Sequence, residues 1–273
     1  MNYGRKREEG GNSMYDIHSH VIPNIDDGAK SLGEALEMGK IAEKEGITGI
    51  IATPHFNFED PEFKENVLAA VKGLNEKFEE ENIRLTLYPG CEVFLNGALI
   101  QRLKNQELLT LNGSDYLLVE FPLGEAPYNM EELLYRIRLM GKKPIIAHPE
   151  RYQEVMDNPN LVKRWVEQGN YIQVNATSIL GVSGSRVTRT TKHLFAHKMV
   201  HLIATDAHSP RNRSPRLTEA KETAGKWCGK KELDMILANS KRVFDNEELI
   251  INDPVQYPYG YNVLQRIHAT LRK

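Results

Sequence analysis

The chain has 273 residues, 40% of them hydrophobic, with 35 Lys and Arg against 37 Asp and Glu and a formal net charge of -2. Charges this nearly cancelled give no global basic field for nucleic acid, and a mean hydropathy of -0.48 speaks for a soluble chain. No apolar run is long enough for a membrane span or a secretory signal, so the expected compartment is the cytoplasm.

Two cysteines, Cys91 and Cys228, are too few for a disulfide framework. Gly97 and Asp234 stand six positions after them, where the Cys-x5-Arg phosphate loop of thiol-dependent phosphatases needs arginine, so that chemistry is excluded. Cys91 reads as a small buried apolar residue.

In chain order, residues 1–13 are polar, glycine-rich and aperiodic, which predicts a disordered leader before a barrel over 14–249. Tyr15 to Gly28 opens with a strand carrying His18-Ser19-His20, followed by Asp26-Asp27-Gly28. Ser31 to Glu34 is a capping-box pattern that starts a helix closing at Gly46. The apolar, β-branched run Ile47 to Ala52 predicts a strand buried on both faces and ends in Thr53-Pro54-His55. Asp60-Pro61 starts a helix to about Asn82.

A third strand, Arg84 to Tyr88, leads into Pro89 to Phe94, with a helix over Gly97 to Lys104. Tyr116 to Pro122 is followed by a helix with Leu133, Leu134, Ile137 and Leu139 on its apolar face. Lys143 to Arg151 is followed by a helix over Leu161 to Gln168, and Tyr171 to Asn175 by one near Arg186 to His197. His201 to His208 is the seventh strand. A helix over Glu232 to Leu237 precedes a Tyr- and Pro-rich segment, so residues 250–273 read as a wrapping tail and a candidate oligomer contact.

Seven strands alternating with helices predict a parallel α/β fold of one domain, a seven-stranded relative of the (β/α)8 barrel. The glycine-rich loops of nucleotide-binding open sheets are absent. In a parallel barrel the strand ends share one face, and there stand His18, His20, Asp26, Asp27, His55, Glu92, Glu120, His148, Asp206 and His208. This exceeds the needs of one tetrahedral zinc and suits manganese, iron or zinc above magnesium or calcium. Clustered divalent ions acidify a bridging water and screen a phosphate, which is the arrangement for phosphoester hydrolysis. His193, His197, His201 and His268 lie on helices, at a strand start or in the tail and read as surface or core histidines.

Asp16-Ile-His-Ser-His20, Thr53-Pro-His-Phe56, Gly90-Cys-Glu-Val-Phe94, His148-Pro-Glu-Arg151 and Thr205-Asp-Ala-His208 resemble, in this order, the polymerase and histidinol phosphatase (PHP) superfamily. Within it they resemble the bacterial manganese-dependent tyrosine phosphatases of capsule and exopolysaccharide loci, the CpsB/YwqE type. The resemblance spans about Met14 to Leu249 and implies a distorted (β/α)7 barrel with three ions. By that resemblance His18, His20, Glu92 and Asp206 hold the first ion. Glu92 bridges to a second, held with Glu120 and His148, and Asp27, His55 and His208 hold the third. Family spacing favours Asp27 over its neighbour Asp26.

The resemblance also marks Arg151 and Arg213 as phosphate-binding arginines, while Arg211 and Arg216 read as solvated loop charges. The expected reaction is in-line attack on phosphorus by a hydroxide bridging the ions, with tyrosinate leaving and no phosphoenzyme. The implied substrate is the phosphotyrosine cluster in the tail of a cognate bacterial tyrosine kinase. The alternatives are a small-molecule phosphatase such as a histidinol-phosphate phosphatase, an amidohydrolase with a metal-bridging lysine, and a metal-free scaffold.

Overall fold

The apolar runs that end on histidine or carboxylate become short parallel strands: β1 (Met14–Ser19), β2 (Ile47–Ala52), β3 (Thr86–Pro89), β4 (Glu92–Phe94), β5 (Tyr116–Glu120), β6 (Lys143–Ala147), β7 (Tyr171–Asn175) and β8 (Leu202–Ala204). The computed structural model describes residues 14–122 and 129–258. The leader reading of residues 1–13, the tail reading beyond Pro258 and His268 lie outside the described residues. β1 to β3 form one sheet and β4 to β8 a second, each in chain order.

The strand expected to run on from Arg84 to Phe94 is divided. β3 pairs with β2, the chain kinks at Gly90-Cys91, and β4 begins the second sheet. The kink brings the backbone so close to β2 that a Cβ at Gly90 would lie 2.7 Å from Ile51 Cγ2. Both segments still occupy one strand position, because the residues after β2 carry the pairing on: Glu92 N donates to Pro54 O (3.1 Å) and Phe56 N to Glu92 O (2.8 Å). On the other side Asp206 N donates to His18 O and His20 N to Ala207 O, both at 2.8 Å. Eight strands therefore fill seven positions of a distorted barrel whose two sheets join at their carboxyl-terminal ends.

β1 contains a bulge that matters for the site. Asp16 pairs with Ile50 and Ser19 with Ala52, so three steps along β1 match two along β2. An extra residue breaks the alternation of side chains. Ile17 can then fill the barrel interior with Ile51, Leu118, Ile145 and Leu202, while His18 and His20 reach the same interior one layer higher. Buried Asp16 clamps the bulge to the strand opposite, accepting from Thr205 N (3.1 Å) and from the Thr205 hydroxyl. The loop after β1 folds back so tightly that a Cβ at Gly28 would stand 2.1 Å from His20 O.

Helices cover the outside. α1 (Leu32–Lys44) starts at Ser31, whose Oγ accepts from Glu34 N at 3.2 Å, as its capping pattern predicts. α2 (Phe63–Glu80) starts later than expected: Asp60-Pro61 forms a turn in which Asp60 Oδ1 accepts from Glu62 N (2.9 Å). α3 (Leu99–Lys104), α4 (Met130–Leu139), α6 (Asn160–Glu167) and α8 (Ser185–Ala196) lie where the apolar period puts them, and the short α5 (Gln153–Asp157) and α7 (Ala176–Ile179) are additional. α9 (Thr218–Cys228) has no counterpart in the sequence reading, because its buried face is only Ala220 and Ala224, too small to give a clear apolar period. α10 extends over Lys230–Phe244, well beyond Glu232 to Leu237. Among the described residues no helix is long and apolar enough to cross a membrane.

The amino-terminal end of the barrel is sealed by the chain after α10. Tyr116 Oη donates to Glu247 O (2.6 Å), and Asn239 Nδ2 donates to His201 O (3.1 Å) and Ile250 O (2.9 Å). The described part of the tail returns over α8 and α6, with Val255 N donating to His197 O (2.8 Å) and Tyr257 N to Asn160 Oδ1 (2.8 Å).

His201 lies in this seal, buried, with Nδ1 accepting from Ile172 N at 3.1 Å, and burial pushes it down to about 3. Unfolded, the same imidazole titrates near 6.5, so between these values the unfolded chain binds the extra proton and stability falls as pH falls. Denaturant titrations of wild type and His201→Asn should show the wild-type advantage shrinking by roughly 1 kcal/mol per pH unit below about pH 6. Parallel pH profiles would remove His201 as the cause.

Candidate metal centre

The strand-end residues singled out in the sequence meet at the joined ends of the sheets. His18 Nε2 and His20 Nε2 are 3.2 Å apart. Glu92 Oε2 lies 3.2 Å from His18 Nε2, 3.3 Å from His20 Nε2 and 3.3 Å from His55 Nδ1. Asp206 Oδ1 lies 3.4 and 3.5 Å from the first two nitrogens. On one side Glu92 Oε1 meets His148 Nε2 at 3.1 Å, and Glu120 Oε1 meets His55 Nδ1 at 3.1 Å. On the other, Asp27 Oδ1 is 3.3 Å from His208 Nε2 and 3.6 Å from His55 Nε2.

Four overlapping groups have ligand atoms within 4.8 Å of one another: His20, Asp27, His55 and His208; His18, His20 and Glu92; His18, His148 and Asp206; and His55, Glu92 and Glu120. Every candidate ligand from the sequence except Asp26 falls in one of them. Asp26 Oδ2 instead accepts from His20 Nδ1 at 2.6 Å and from His55 N at 3.0 Å, while its Oδ1 accepts from Gly28 N at 2.9 Å. It orients His20, a candidate ligand, from behind.

The donor set fits cations. Glu92 Oε2 is buried and makes no hydrogen bond, although three imidazole nitrogens surround it. Lone pairs converging on a carboxylate oxygen repel unless positive charge sits among them. The titration behaviour has the same sign. Burial opposes charge on His20, but Asp26 and Glu92 outweigh it and hold the imidazole at about 10. Burial likewise opposes the charge on Asp26, yet His20 holds that carboxyl down to about 2. Burial and the neighbouring His20 charge push His208 down to about 3, so it stays a neutral donor.

The nitrogens that face the centre are selected from behind. Asp206 Oδ2 can only accept, so Asn175 turns Nδ2 to it (2.6 Å) and Oδ1 to Gln173. Gln173 must then donate through Nε2 to Asn175 Oδ1 (2.8 Å), which leaves its Oε1 to receive the proton of His18 Nδ1 (2.9 Å). His18 Nε2 is left as a lone pair toward the centre. His208 Nδ1 gives its proton to Asp206 O (3.0 Å) with the same result. Glu150 supports this layer, its Oε1 accepting from Asn175 N at 2.9 Å.

Sequence reasoning did not single out Gln173, Asn175 or Glu150 for the site. The signal for the first two was two polar residues at period two inside an otherwise apolar buried strand, Tyr171 to Asn175.

Arg151 and Arg213 approach from the rim, both to Asp206 Oδ2: Arg213 at 2.6 Å and Arg151 Nη1 at 3.4 Å. Arg211 turns to Glu34 (3.2 Å) on the surface. His193 and His197 pack against the Tyr257 ring, outside the centre. Cys91 is buried with its thiol against Leu109 O, and burial pushes it up to about 12, which removes it as a nucleophile.

The family model described as "Capsular polysaccharide synthesis, CpsB/CapC" matches residues 14–245. CapC of Staphylococcus aureus is 36% identical over 244 residues, covering 89% of this chain and 96% of its own. The tyrosine-protein phosphatase YwqE of Bacillus subtilis (strain 168) is 34% identical over 244 residues, covering 88% and 95%. A chain from the crystal structures of YwqE from Bacillus subtilis and CpsB from Streptococcus pneumoniae, described as unique metal-dependent tyrosine phosphatases, superposes with a TM-score of 0.87 at 34% identity, covering 90% of this chain and 100% of that one. A dihydroorotase at 10% identity and a TM-score of 0.50 shares the fold alone. A model match across nearly all of the described barrel, with relatives aligned over most of both lengths, places this chain in the CpsB/CapC family.

Proposed function

We propose that this protein is a metal-dependent tyrosine phosphatase that acts on phosphotyrosine in the tail of a bacterial tyrosine kinase controlling capsule or exopolysaccharide synthesis, in the cytoplasm. The observation that carries the reading is the set of four His, Asp and Glu groups linked to one another through His18, His20, His55 and Glu92, with two arginines reaching Asp206 from the rim. The relatives named as tyrosine-protein phosphatases support it.

The proposed ligand set is that of the resemblance: His18, His20, Glu92 and Asp206 for one ion, Glu92, Glu120 and His148 for a second, and Asp27, His55 and His208 for a third. Manganese is the proposed metal, with iron and zinc chemically acceptable to the same imidazole and carboxylate donors. Divalent ions held there lower the pKa of a water and screen the phosphate charge.

The chain's own residues do the rest. Arg151 and Arg213 each spend only part of a five-donor fork on Asp206, so the remaining N–H groups can take equatorial phosphate oxygens as charge develops on them. A phenol titrates near pH 10, so tyrosinate departs with little protonation and a general acid is not required. Asp26 and Gln173, the latter oriented by Asn175, take the Nδ1 protons of His20 and His18, so that both Nε2 atoms face the centre and would offer lone pairs to a bound cation. Buried His148 and Asp206 are held in the left-handed region, at φ of 35° and 51°, which aims both side chains into the centre at a cost in backbone strain.

The manganese-loaded protein should turn over a phosphotyrosine peptide in preference to a phosphoserine peptide or histidinol phosphate. Chelation should abolish the activity, manganese should restore it, and His148→Ala should remove it. Arg151→Ala and Arg213→Ala should each lower kcat by about 10²-fold with metal content intact. Preference for histidinol phosphate would overturn the substrate, and metal-independent turnover would overturn the mechanism.

Gln173→Leu removes the acceptor for His18 Nδ1 and the donor to Asn175. Competition with a fluorescent chelator should show manganese affinity falling about 10- to 100-fold, with partial recovery in Gln173→Glu, which restores the acceptor. Unchanged affinity in Gln173→Leu would remove the amide chain from the design of the site.

A further inference from the structure

The centre has a closed base and one open side. His18, His20, Glu92, His148 and Asp206 are buried, whereas the side chains of Glu120, His55 and Asp27 are 16%, 37% and 64% exposed. β4 runs up to that open side. Glu92 and Phe94 are two residues apart on one strand and share a face, while Val93 between them packs into the outer core with the helices. Phe94 is paired across the sheet with Glu120, about 4.8 Å away by strand spacing, and the other neighbour of β4 is the His55 segment. Phe94 therefore stands toward the mouth, opposite Glu120 and two residues beyond the point where the His55 segment meets Glu92.

Its exposure is unusual for its place. Among the described residues the large exposed apolar side chains are on helices, in loops or in the tail, except Phe94, which is 38% exposed on a strand. Among the described residues, Asp27, Glu120, Arg151, Arg213 and the His55 imidazole bring charge to this side of the centre. A phosphate drawn to the buried base and the two arginines turns its ester oxygen to the open side. What is attached to that oxygen then lies on the open side, which the tip of β4 borders.

We propose that Phe94 is the specificity residue of the site, the apolar platform on which the phenyl ring of the phosphotyrosine rests. An aromatic ring offers it a face to pack on, and alkyl phosphates offer none. The contact is made equally in the bound substrate and in the transition state, so it appears in KM and leaves kcat largely alone. The inference rests on the phosphotyrosine reading above.

The test compares phenylphosphonate and methylphosphonate as competitive inhibitors of the manganese-loaded protein, beside KM and kcat for a phosphotyrosine peptide. Wild type should prefer phenylphosphonate by about tenfold, and Phe94→Ala should erase that preference and raise KM about tenfold while kcat falls far less. Phe94→Trp should recover both. Because Phe94 is exposed, the variant's melting temperature should match wild type, and inorganic phosphate should inhibit both proteins equally. A phenyl preference that survives in Phe94→Ala would overturn the assignment and leave the phosphatase reading standing. A wild-type protein that hydrolyses no phosphotyrosine would overturn both.

Discussion

One carboxylate oxygen governs this structure. Glu92 Oε2 is buried, without a hydrogen bond, and faced by nitrogens of three imidazoles at 3.2–3.3 Å. With all three imidazoles neutral the arrangement is unfavourable, because oxygen and nitrogen lone pairs meet in a region of low dielectric. Positive charge makes it favourable, and a proton on His20 or a divalent cation can supply it at the same atoms. The surrounding fold holds these groups against their repulsion: the β1 bulge lifts His18 and His20 into the interior, the Gly90 kink turns Glu92 inward, and the left-handed residues His148 and Asp206 complete the ring.

The layer behind the candidate ligands is built largely from neutral amides, and this has an electrostatic reason. The centre already holds Asp27, Glu92, Glu120 and Asp206, with Asp26 close behind. Another carboxylate beside His18 would add a buried charge with its own desolvation cost. Gln173 and Asn175 transmit direction from Asp206 to His18 without adding charge. Asp26 is the exception, and it is balanced by His20 and by two backbone N–H groups. Glu150, also beneath this layer, is buried enough that its carboxyl is raised, so burial itself limits the charge it contributes.

Much of this was legible in the sequence because strand ends and ligand chemistry are both local patterns. A buried parallel strand is a short apolar run, and a histidine or carboxylate at its end is visible without knowing the fold. The doublet Asp26-Asp27 could not be resolved that way, since adjacent acids differ only in the direction they face after the loop folds back over His20. The division of the third strand was hidden because it depends on a close approach between Gly90 and Ile51, distant in sequence. α9 was hidden for a different reason, its small alanine face, and the amide chain because Gln173 and Asn175 gain meaning only when β7 stands beside β1 and β8.

The fold shared with a dihydroorotase at 10% identity sets a limit on what the barrel itself decides. It supplies a mouth where strand ends converge, and that mouth is compatible with unrelated reactions. The buried histidines and carboxylates at the base of the centre suit metal-assisted hydrolysis. In the proposed reading, selection between substrates comes from the parts that face outward: the two arginines for the phosphoryl group, and the tip of β4 for what the phosphate is attached to. Because Glu92 and Phe94 belong to one three-residue strand, the candidate metal ligand and the proposed aromatic platform are set by the same backbone, and a shift in one displaces the other.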